Sequence, residues 1–547
     1  MARSDSSVNE RVLDLMIHRI ELLSSIGMAL STEQDQDHLQ EEILRGARGL
    51  TNADGGTIYR MSGDGQYLNF ALMQTDSLGI HLGGASGAFI DLPPVPLYRP
   101  DGSPNLSSVV TYAVLEEETV NIADAYRPGR FDFSATRAFD QKTGYRSHSL
   151  LAIPLRDHQH RIVGVLQLLN ARAGDGATVI PFSGIAQRMA ESVASQAAVA
   201  MTRQALIRDM SDLFESFVQL IADAVDRKSP YTGGHCRRVT ELTLMLAEAA
   251  CRSREGSLAD FQMDDADRYE LNIASLLHDC GKITTPEWIM DKATKLQTVY
   301  DRIGLLETRF HAVKREAEVA RWRSVAAGDD PTIAEAIYEQ SVVDLDHDLA
   351  FLRRVNAGTE AMADEDVRRV RAIAEKRWIG PDGEVHPLLS EEEVDNLCVR
   401  RGTLNKRERT IIEDHIVATI EMLESVPYPR HLKRVPEFAG GHHERHDGSG
   451  YPRRLTGATM SVQARIMAIA DVFEALTAAD RPYKQPMSLS RALHILGQMK
   501  EAGHIDPELY RVFIEAGVWK DYAEHYLRRS QIDRVDLAEL PGYTPSA

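Results

Sequence analysis

The chain of 547 residues has only four cysteines, which are widely spaced and form no CxxC metal or redox motif: Cys236, Cys251, Cys280 and Cys398. Free thiols in a reducing compartment are therefore expected. The sequence also lacks any apolar run near the roughly 18 residues that a transmembrane helix needs. Its start, MARSDSSVNERVLDLM, has no apolar segment before a cleavage site, unlike a signal peptide. These absences predict a cytoplasmic protein without membrane insertion.

Positive charge is also scarce. The chain has 62 basic and 81 acidic side chains and a net charge of −19, which argues against binding to bulk nucleic acid or to anionic membranes. A local basic pocket remains compatible with this balance. The apolar content of 43% and the length are those of a globular protein with two to four domains.

The first part of the chain combines helix and strand patterns. Helical spacing of apolar residues predicts a first helix within 8–35, and a mixed α/β domain follows at 36–183. "GGTIYRMSGDGQYLNFAL" alternates around a GDG turn like a β-hairpin, and "LLAIPLRDHQHRIVGVLQLLN" reads as two strands joined by a polar turn. The stretch 184–228 has almost no turn residues and predicts one long helix, suited to connect two domains and carry a signal.

The order "NIADAYRPGRFDFSATRAFDQKTGYRSHSLLAIPL" and then "GVLQLLN" resembles a GAF domain, the small-molecule sensor module of many signalling proteins. The resemblance implies an antiparallel sheet with flanking helices. GAF domains that bind cyclic nucleotides carry an Asn-Lys…Phe…Asp-Glu signature, but here Ala171 follows Asn170 and "SGIAQ" follows Phe182. The resemblance therefore implies sensing or dimerisation and leaves two alternatives, an unknown GAF ligand or no small ligand.

From residue 229 onward the pattern is almost entirely helical, with one segment of a different kind. Apolar residues recur there at the alternating three- and four-residue spacing of a coiled-coil seam: Leu296, Val299, Ile303, Leu306, Phe310, Val313, Ala317 and Ala320. "AAGDDPT" breaks the seam, and a return pattern follows at Tyr338, Val342, Leu345, Leu349 and Leu352. We predict an inserted coiled-coil helical hairpin within 298–403, with a structural or dimerisation role.

Four separated signals in this helical part share one chemistry. His235 begins an amphipathic helix, "ASLLHDCGKI" ends an apolar run in His278 and Asp279, and "RTIIEDHIVATIEMLE" places His415 in mid-helix. The fourth signal is "GHHERHDGSGYP", with His442 and His443, followed by an apolar helix that contains Asp471. A single helical histidine is usually a hydrogen-bonded core residue. A buried unpaired carboxylate costs several kcal/mol, roughly, so Asp471 requires a metal or another cation.

Imidazole and carboxylate ligands without thiolate suit Fe, Mn, Zn or Ni better than a metal that prefers soft ligands. Among these, Fe or Mn is the expected metal. Seven ligands are too many for one ion and fit two. Two divalent ions roughly 3.5–4 Å apart can hold a bridging hydroxide and orient a phosphodiester for in-line attack. Lys282 can neutralise charge that develops on the phosphate.

"HDCGK", "HHERHDGSGYP" and "ADVFEALTAADRPYK" resemble the HD-GYP domain, a branch of the HD phosphohydrolase superfamily. The resemblance assigns 229–547 to an all-α HD-type domain. It implies that one ion is held by His235, His278, Asp279 and Asp471, and a second by Asp279, His415, His442 and His443. Some members bind a third ion through a Glu at the position of Tyr231, so two ions are expected here.

The same resemblance implies further roles at the substrate. Lys282 and Asp279 are the catalytic residues, and Lys282, Arg481 and Lys484 meet the anionic substrate. Gly450, Tyr451 and Pro452 shape the edge of the site, whereas His446 has no role in the family pattern and is expected to be a loop residue. The chain departs from the pattern at Glu474, commonly Asp, in the additional residue of "LTAADRPYK", and in the insertion.

The expected function is hydrolysis of cyclic di-GMP to pGpG or GMP by a hydroxide that two metal ions activate, regulated by the GAF domain. The long helices suggest a homodimer. Two alternatives remain: a degenerate HD-GYP domain that senses a nucleotide or recruits partners, and a phosphohydrolase for another cyclic dinucleotide or nucleotide. The hydrolysis of cyclic di-GMP is preferred over a degenerate domain, because all seven ligand positions and Lys282 are present.

Overall fold

Two units make up the chain, Met1–Phe214 and Glu215–Ala547. The structure, a computed structural model, describes residues 17, 20–33, 35–127, 129–174, 176–228, 234–358, 361–479 and 486–544. Within these ranges no helix combines the length and the apolar character needed to cross a bilayer.

The first unit is built on an antiparallel sheet. After a helical stretch at 20–32, its helices are α1 (Gln36–Thr51), α2 (Val109–Leu115), α3 (Ser134–Thr143) and the first part of α4 (Gly184–Lys228). Its strands are β1 (Ala53–Met61), β2 (Tyr67–Thr75), β3 (Ile80–Gly83), β4 (Val95–Pro96), β5 (Val120–Ile122), β6 (Leu150–Arg156), β7 (Ile162–Arg172) and β8 (Val179–Ile180).

The order of the sheet is β3-β2-β1-β7-β6-β5, with β4 beside β2 and β8 beside β7. The predicted hairpins are confirmed, since β1 pairs with β2 and β6 pairs with β7, both antiparallel. The turn between β6 and β7 is closed by Asp157, which accepts hydrogen bonds of 2.8 Å from the N–H groups of Gln159 and Arg161. The predicted long helix is also confirmed, as α4.

Two hydrophobic layers cover the sheet, because adjacent strand residues point to opposite faces. Ile58 belongs to a core formed with α1 and α4, which contribute Ile43 and Ala194 among others. Tyr59 belongs to a second core, which includes Val110 of α2. The fold class predicted for this part, an antiparallel sheet with flanking helices, is confirmed.

The second unit is mainly helical. Its further helices are α5 (His235–Arg252), α6 (Asp265–Leu277), α7 (Glu287–Met290), α8 (Ile303–Ala326), α9 (Pro331–Asn356), α10 (Asp364–Ala374), α11 (Glu391–Leu397), α12 (Lys406–Glu413), α13 (His415–Glu424), α14 (Val435–Gly440), α15 (Val462–Thr477), α16 (Leu489–Glu501), α17 (Pro507–Glu515) and α18 (Val518–Tyr526). A two-stranded hairpin, β9 (Arg377–Ile379) with β10 (Val385–Pro387), is an exception that the helical pattern did not predict.

The segment 298–403 is more than a helical hairpin. Helices α8 and α9 do run antiparallel, as the ion pairs Glu307–Arg353 and Lys314–Asp346 show. However, α10, α11 and the β9–β10 hairpin share a separate hydrophobic core with them, which includes Phe310. The predicted seam is wrong at Val299, which is 88% exposed, and at Ala320, which is also exposed, whereas its first residue, Leu296, is buried. The physical reason at Val299 is a tight turn, in which the N–H of Thr298 donates to the carbonyl of Tyr300 before α8 begins.

A buried lysine joins the two ends of this segment. The Nζ atom of Lys292 lies 2.7 and 2.8 Å from the carboxylate oxygens of Glu408 and 3.1 Å from the Oδ1 atom of Asn396. The hydroxyl of Thr403 donates to the carbonyl of Lys292 over 2.9 Å. The insertion therefore leaves and re-enters the helical unit at one place.

A close contact then brings two distant parts of the sequence together. The residues after α6 form a 3-10 turn, Cys280–Thr284, which contacts α13. The N–H of Gly281 donates to the hydroxyl of Thr419 over 2.9 Å. A side chain on Gly281 would collide with the carbonyl of His415 and with Thr419, so only glycine permits this approach.

Gly281→Ala should therefore reduce the free energy of unfolding of the second unit by about 1–3 kcal/mol, because the added methyl group overfills a closely packed contact. Urea unfolding monitored by circular dichroism measures the change. Gly304→Ala is the matched control, since an added side chain there meets no atom within 4 Å and alanine favours the helix by up to about 1 kcal/mol. Equal stability of the Gly281→Ala protein and the wild type would contradict the argument.

Candidate metal centre

Five imidazoles and two carboxylates converge in the second unit. His235 is the first residue of α5, and His278 and Asp279 directly follow α6. His415 begins α13, His442 and His443 follow α14, and Asp471 lies within α15. The expectation that His415 lies in mid-helix needs correction, because α12 ends at Glu413 and His415 is the first residue of α13. The side chains come from five helices that contact one another.

Asp279 lies between two sets of histidines. Its Oδ2 atom is 3.3 Å from the Nε2 atoms of both His235 and His278. Its Oδ1 atom is 3.3 Å from Nε2 of His415 and 4.0 Å from Nε2 of His442. Asp279 is 2% exposed, so each of its oxygens faces imidazole nitrogens rather than water. This is the arrangement that a carboxylate shared by two cations requires.

The two remaining groups complete the sets. The Oδ1 atom of Asp471 lies 3.3 Å from Nε2 of His235 and 3.8 Å from Nε2 of His278. The Nε2 atom of His443 lies 3.2 Å from that of His415. The potential ligand atoms of Asp279, His415, His442 and His443 all lie within 4.8 Å of one another, as do those of His235, His278 and Asp279.

Helix ends fix the orientation of three of these imidazoles. The last carbonyl groups of a helix have no backbone partner. The Nδ1–H groups of His278, His415 and His442 donate to carbonyls three residues earlier, those of Ser275, Ile412 and Ala439, over 2.5–2.6 Å. Since Nδ1 is the donor in each ring, Nε2 carries the free lone pair and points into the cluster.

The donor set fits metal ions. The Nε2 atoms of His235, His278 and His442 are buried and have no hydrogen-bond partner among the described residues. Buried polar nitrogens without a partner are rare in proteins, because each loses the hydration it has in water. Three such atoms around the carboxylates of Asp279 and Asp471 are explained by cations that they coordinate.

The electrostatics agree with this fit. Burial and the neighbouring His443 and His278 hold the pKa of His442 well below its usual range, and burial lowers the pKa of His443 to about 4. Both rings are therefore neutral at pH 7, which is the form that binds metal. Burial disfavours the charged form of Asp279, but Lys282 and His278 hold its pKa well below the usual range. The carboxylate is therefore ionised.

His235 shows that the cluster favours positive charge. Burial opposes protonation of its ring, but the surrounding carboxylates of Asp279, Asp471 and Glu474 raise its pKa well above the usual value. The Nζ atom of Lys282 donates to Oδ2 of Asp279, and its side chain is 25% exposed at the edge of the cluster. Burial opposes the charged form of Lys282, but Asp279 raises its pKa, so the ammonium persists.

The loop after His443 is held by a buried carboxylate. Glu444 is 3% exposed and accepts hydrogen bonds of 2.7 and 2.9 Å from the N–H groups of Arg453 and Leu455. The ring of Tyr451 stacks on that of His443, with centroids 4.9 Å apart. Gly450 is buried against the backbone of Glu444, and Pro452 is half-buried. The loop thus packs directly on one imidazole of the cluster.

The remaining predictions concern residues outside this cluster or outside the described part of the chain. Arg481, Lys484 and Tyr231 are outside the described residues. His446 lies outside the cluster, with its Nδ1 atom 3.6 Å from Asp506, so it is indeed a residue of the loop.

Comparisons with known proteins agree with this architecture. The family model described as GAF domain matches residues 35–201, and the one described as HD domain matches residues 392–509. The chain contains a GAF domain and an HD domain. The HD match includes His415, His442, His443 and Asp471 and begins after Asp279, which the fold brings to the same cluster.

Three relatives share parts of this chain. The 3'3'-cGAMP-specific phosphodiesterase 1 of Vibrio cholerae is 39% identical over 132 residues, which cover 24% of this chain and 30% of that protein. The 3'3'-cGAMP-specific phosphodiesterase 3 of the same organism is 25% identical over 302 residues, which cover 55% of this chain and 39% of that protein. A cyclic di-GMP phosphodiesterase of Pseudomonas aeruginosa is 41% identical over 140 residues, which cover 26% of this chain and 33% of that protein. The chain thus spans between 30% and 39% of the length of these relatives.

Sequence reasoning missed the supporting role of Glu474 in the HD domain. This carboxylate is 1% exposed, and its Oε2 atom lies 2.5 Å from Nδ1 of His235. Its Oε1 atom accepts a hydrogen bond of 2.7 Å from Nε of Arg238. The sequence does contain a pattern that indicates this role. Glu474 stands one helical turn after Asp471 in an apolar helix, and Arg238 stands one helical turn after His235.

Glu474→Gln should weaken metal binding by about 10–100-fold, because the amide orients His235 less firmly than the carboxylate does. Competition with a chelator of known affinity measures the change. Glu393→Gln is the matched control: this buried glutamate pairs with Arg309 in the insertion, away from the centre. Unchanged affinity in the Glu474→Gln protein would contradict the assigned role.

Proposed function

We propose that this chain is a metal-dependent phosphodiesterase that hydrolyses cyclic di-GMP or a related cyclic dinucleotide to the linear dinucleotide or to mononucleotides. The observation that carries the proposal is Asp279, whose two oxygens face two separate sets of histidine Nε2 atoms. The relatives support it, since they are named as phosphodiesterases of 3'3'-cGAMP and cyclic di-GMP.

The proposed ligands form two sets that share Asp279. His235, His278, Asp279 and Asp471 would hold one ion, and Asp279, His415, His442 and His443 the second. Imidazole and carboxylate donors suit Fe or Mn, with Zn or Ni as alternatives. Burial raises the pKa of the nearby Cys280 thiol to about 11, so that residue stays protonated and is not among the proposed ligands.

The chain's own residues would have distinct tasks in hydrolysis. Divalent ions bound here would supply Lewis acidity, which lowers the pKa of water and neutralises the phosphate. Lys282 would place its ammonium next to the incoming phosphate, where it balances the negative charge of the transition state. Asp279 would fix the spacing of the two ligand sets. Gly450, Tyr451, Pro452, Arg481 and Lys484 stay predicted contacts of the substrate.

Two alternative functions use the same residues. A degenerate domain that binds a nucleotide or a partner protein would not need all seven ligand side chains, and all seven are present. A phosphohydrolase for another nucleotide would keep the centre and differ in the residues that recognise the base. The GAF domain would regulate either activity through α4, with or without a ligand of its own.

A second copy of the chain is the proposed partner of α4. Five exposed apolar residues on this helix step by 4, 3, 4 and 3, the spacing of a coiled-coil seam: Leu206, Met210, Leu213, Phe217 and Leu220. Met210, for example, is 71% exposed. Such a seam is complementary to itself, so a homodimer covers it. A cytoplasmic location is proposed with it, since the substrate is a nucleotide and all four cysteines are free.

Met210→Glu should convert the dimer into a monomer, because it places charge in the centre of the seam. Sedimentation velocity measures the mass. Ser211→Glu, one residue away and exposed outside the seam, is the matched control and should remain dimeric. A wild-type protein that is monomeric at every concentration would refute the proposed dimer.

Asp279→Ala should lose both metal and turnover, whereas Lys282→Ala should keep its metal and lose about 10²–10³-fold in kcat. Metal analysis of protein purified without added metal, and product identification with cyclic di-GMP and 3'3'-cGAMP, are the measurements. Lys314→Ala, which removes an exposed Lys–Asp pair of the insertion, is the control for loss of a lysine.

Full activity of metal-loaded Asp279→Ala would exclude the proposed centre. A wild-type protein that contains no metal and forms no product would instead favour the nucleotide-binding or scaffold function.

A further inference from the structure

A cleft lies beside the turn that carries Lys282. It has a volume of about 590 Å³, and its walls include Thr284, Thr285 and Trp288. Thr284 ends the same 3-10 turn, and the N–H of Thr285 donates to the carbonyl of Lys282 over 3.1 Å. Consecutive Cα atoms are about 3.8 Å apart, so Thr284 and Lys282 are separated by at most about 7.6 Å. The cleft therefore adjoins the turn that carries Lys282.

Apolar groups project into the cleft from two segments. Trp288 of α7 is 37% exposed, and its indole N–H has no hydrogen-bond partner among the described residues. Val299 is 88% exposed at the tip of the turn that precedes α8, and it lines the same cleft. An open indole ring facing a cleft with polar walls is a stacking surface for a nucleobase, which has an apolar face and polar edges.

The polar groups of the cleft suit the rest of a nucleotide. Lys228 donates to the carbonyl of Ile283, forms no ion pair with any described residue and brings a positive charge to the cleft, which the carboxylates of Glu287 and Asp291 also line. The carboxylate of Glu287 offers an acceptor to the edge of a base and the Nε2 group of Gln297 offers a donor, whereas Oε1 of Gln297 already accepts from the N–H of Ala293 over 2.8 Å.

We propose that this cleft is a base-binding subsite of the enzyme, in which Trp288 stacks on one purine of the cyclic dinucleotide while Val299 limits its other side. The inference rests on the proposed function and adds to it the residues that select the substrate. It also gives a role to the turn at which the insertion begins, because Gln297 and Val299 belong to that turn.

The test compares two substrates. Cyclic di-GMP carries bases, whereas methyl 4-nitrophenyl phosphate is a phosphodiester without a base. Loss of the stacked ring in Trp288→Leu should lower the ratio of kcat/KM for cyclic di-GMP to that for the simple diester by roughly 5- to 150-fold. The loss should be mainly in KM, and the metal content should equal that of the wild type. Trp288→Phe, which keeps an aromatic ring, should recover most of the ratio.

Trp322→Leu is the matched control, since Trp322 is 59% exposed on α8 and lies outside the cleft. This variant should keep the wild-type ratio. If Trp288→Leu changes the ratio by less than about twofold while the wild type hydrolyses cyclic di-GMP, the subsite is wrong and the proposed function stands. If the wild type hydrolyses only the simple diester, the proposed substrate class fails, and the subsite fails with it.

Discussion

The second unit is organised around the carboxylate of Asp279. It is buried, ionised and within about 4 Å of four imidazole nitrogens from four helices. A buried charge of this kind is tolerable only where opposite charge compensates it, since an unpaired one costs several kcal/mol, roughly. Lys282 supplies part of that positive charge. The buried histidine nitrogens around Asp279 that have no hydrogen-bond partner among the described residues indicate that bound cations supply the rest. Gly281 permits the arrangement, because the absence of a side chain lets the turn after α6 lie directly on α13.

The histidines obtain their orientation from ordinary helix chemistry. A helix leaves its last carbonyls without backbone partners, and an imidazole placed just after that end satisfies one of them through Nδ1–H. His278, His415 and His442 all do so. The same hydrogen bond fixes the tautomer, so Nε2 faces inward as an acceptor. His235 begins a helix and has no such carbonyl, and the carboxylate of Glu474 replaces it. Four rings are thus positioned by main-chain geometry or by one buried acid.

Much of this arrangement follows from the sequence, and the exceptions have physical causes. Strand alternation and the polar turns predicted both hairpins of the first unit, because these features depend on neighbouring residues. The role of Glu474 depends on a contact 239 residues away along the chain, which spacing does not reveal. The apolar spacing from Leu296 to Ala320 matched a coiled coil, but seam residues such as Phe310 pack in a core to which α10 and α11 also contribute. Val299 fits the heptad pattern and yet lies in a turn, because a heptad pattern carries no information on where a helix begins.

The insertion is joined to the centre at both of its ends. Its first turn lines the cleft beside Lys282, and its end passes into α12, which stops just before His415. Glu408 ties these ends together, because it binds the buried Lys292 and also caps α12 by accepting from the N–H of Asn405. Removing one partner of such a buried pair costs about 3–5 kcal/mol, so the two ends separate only with a large loss of stability. A segment fastened in this way can gain or lose residues at its far end while the position of His415 stays fixed.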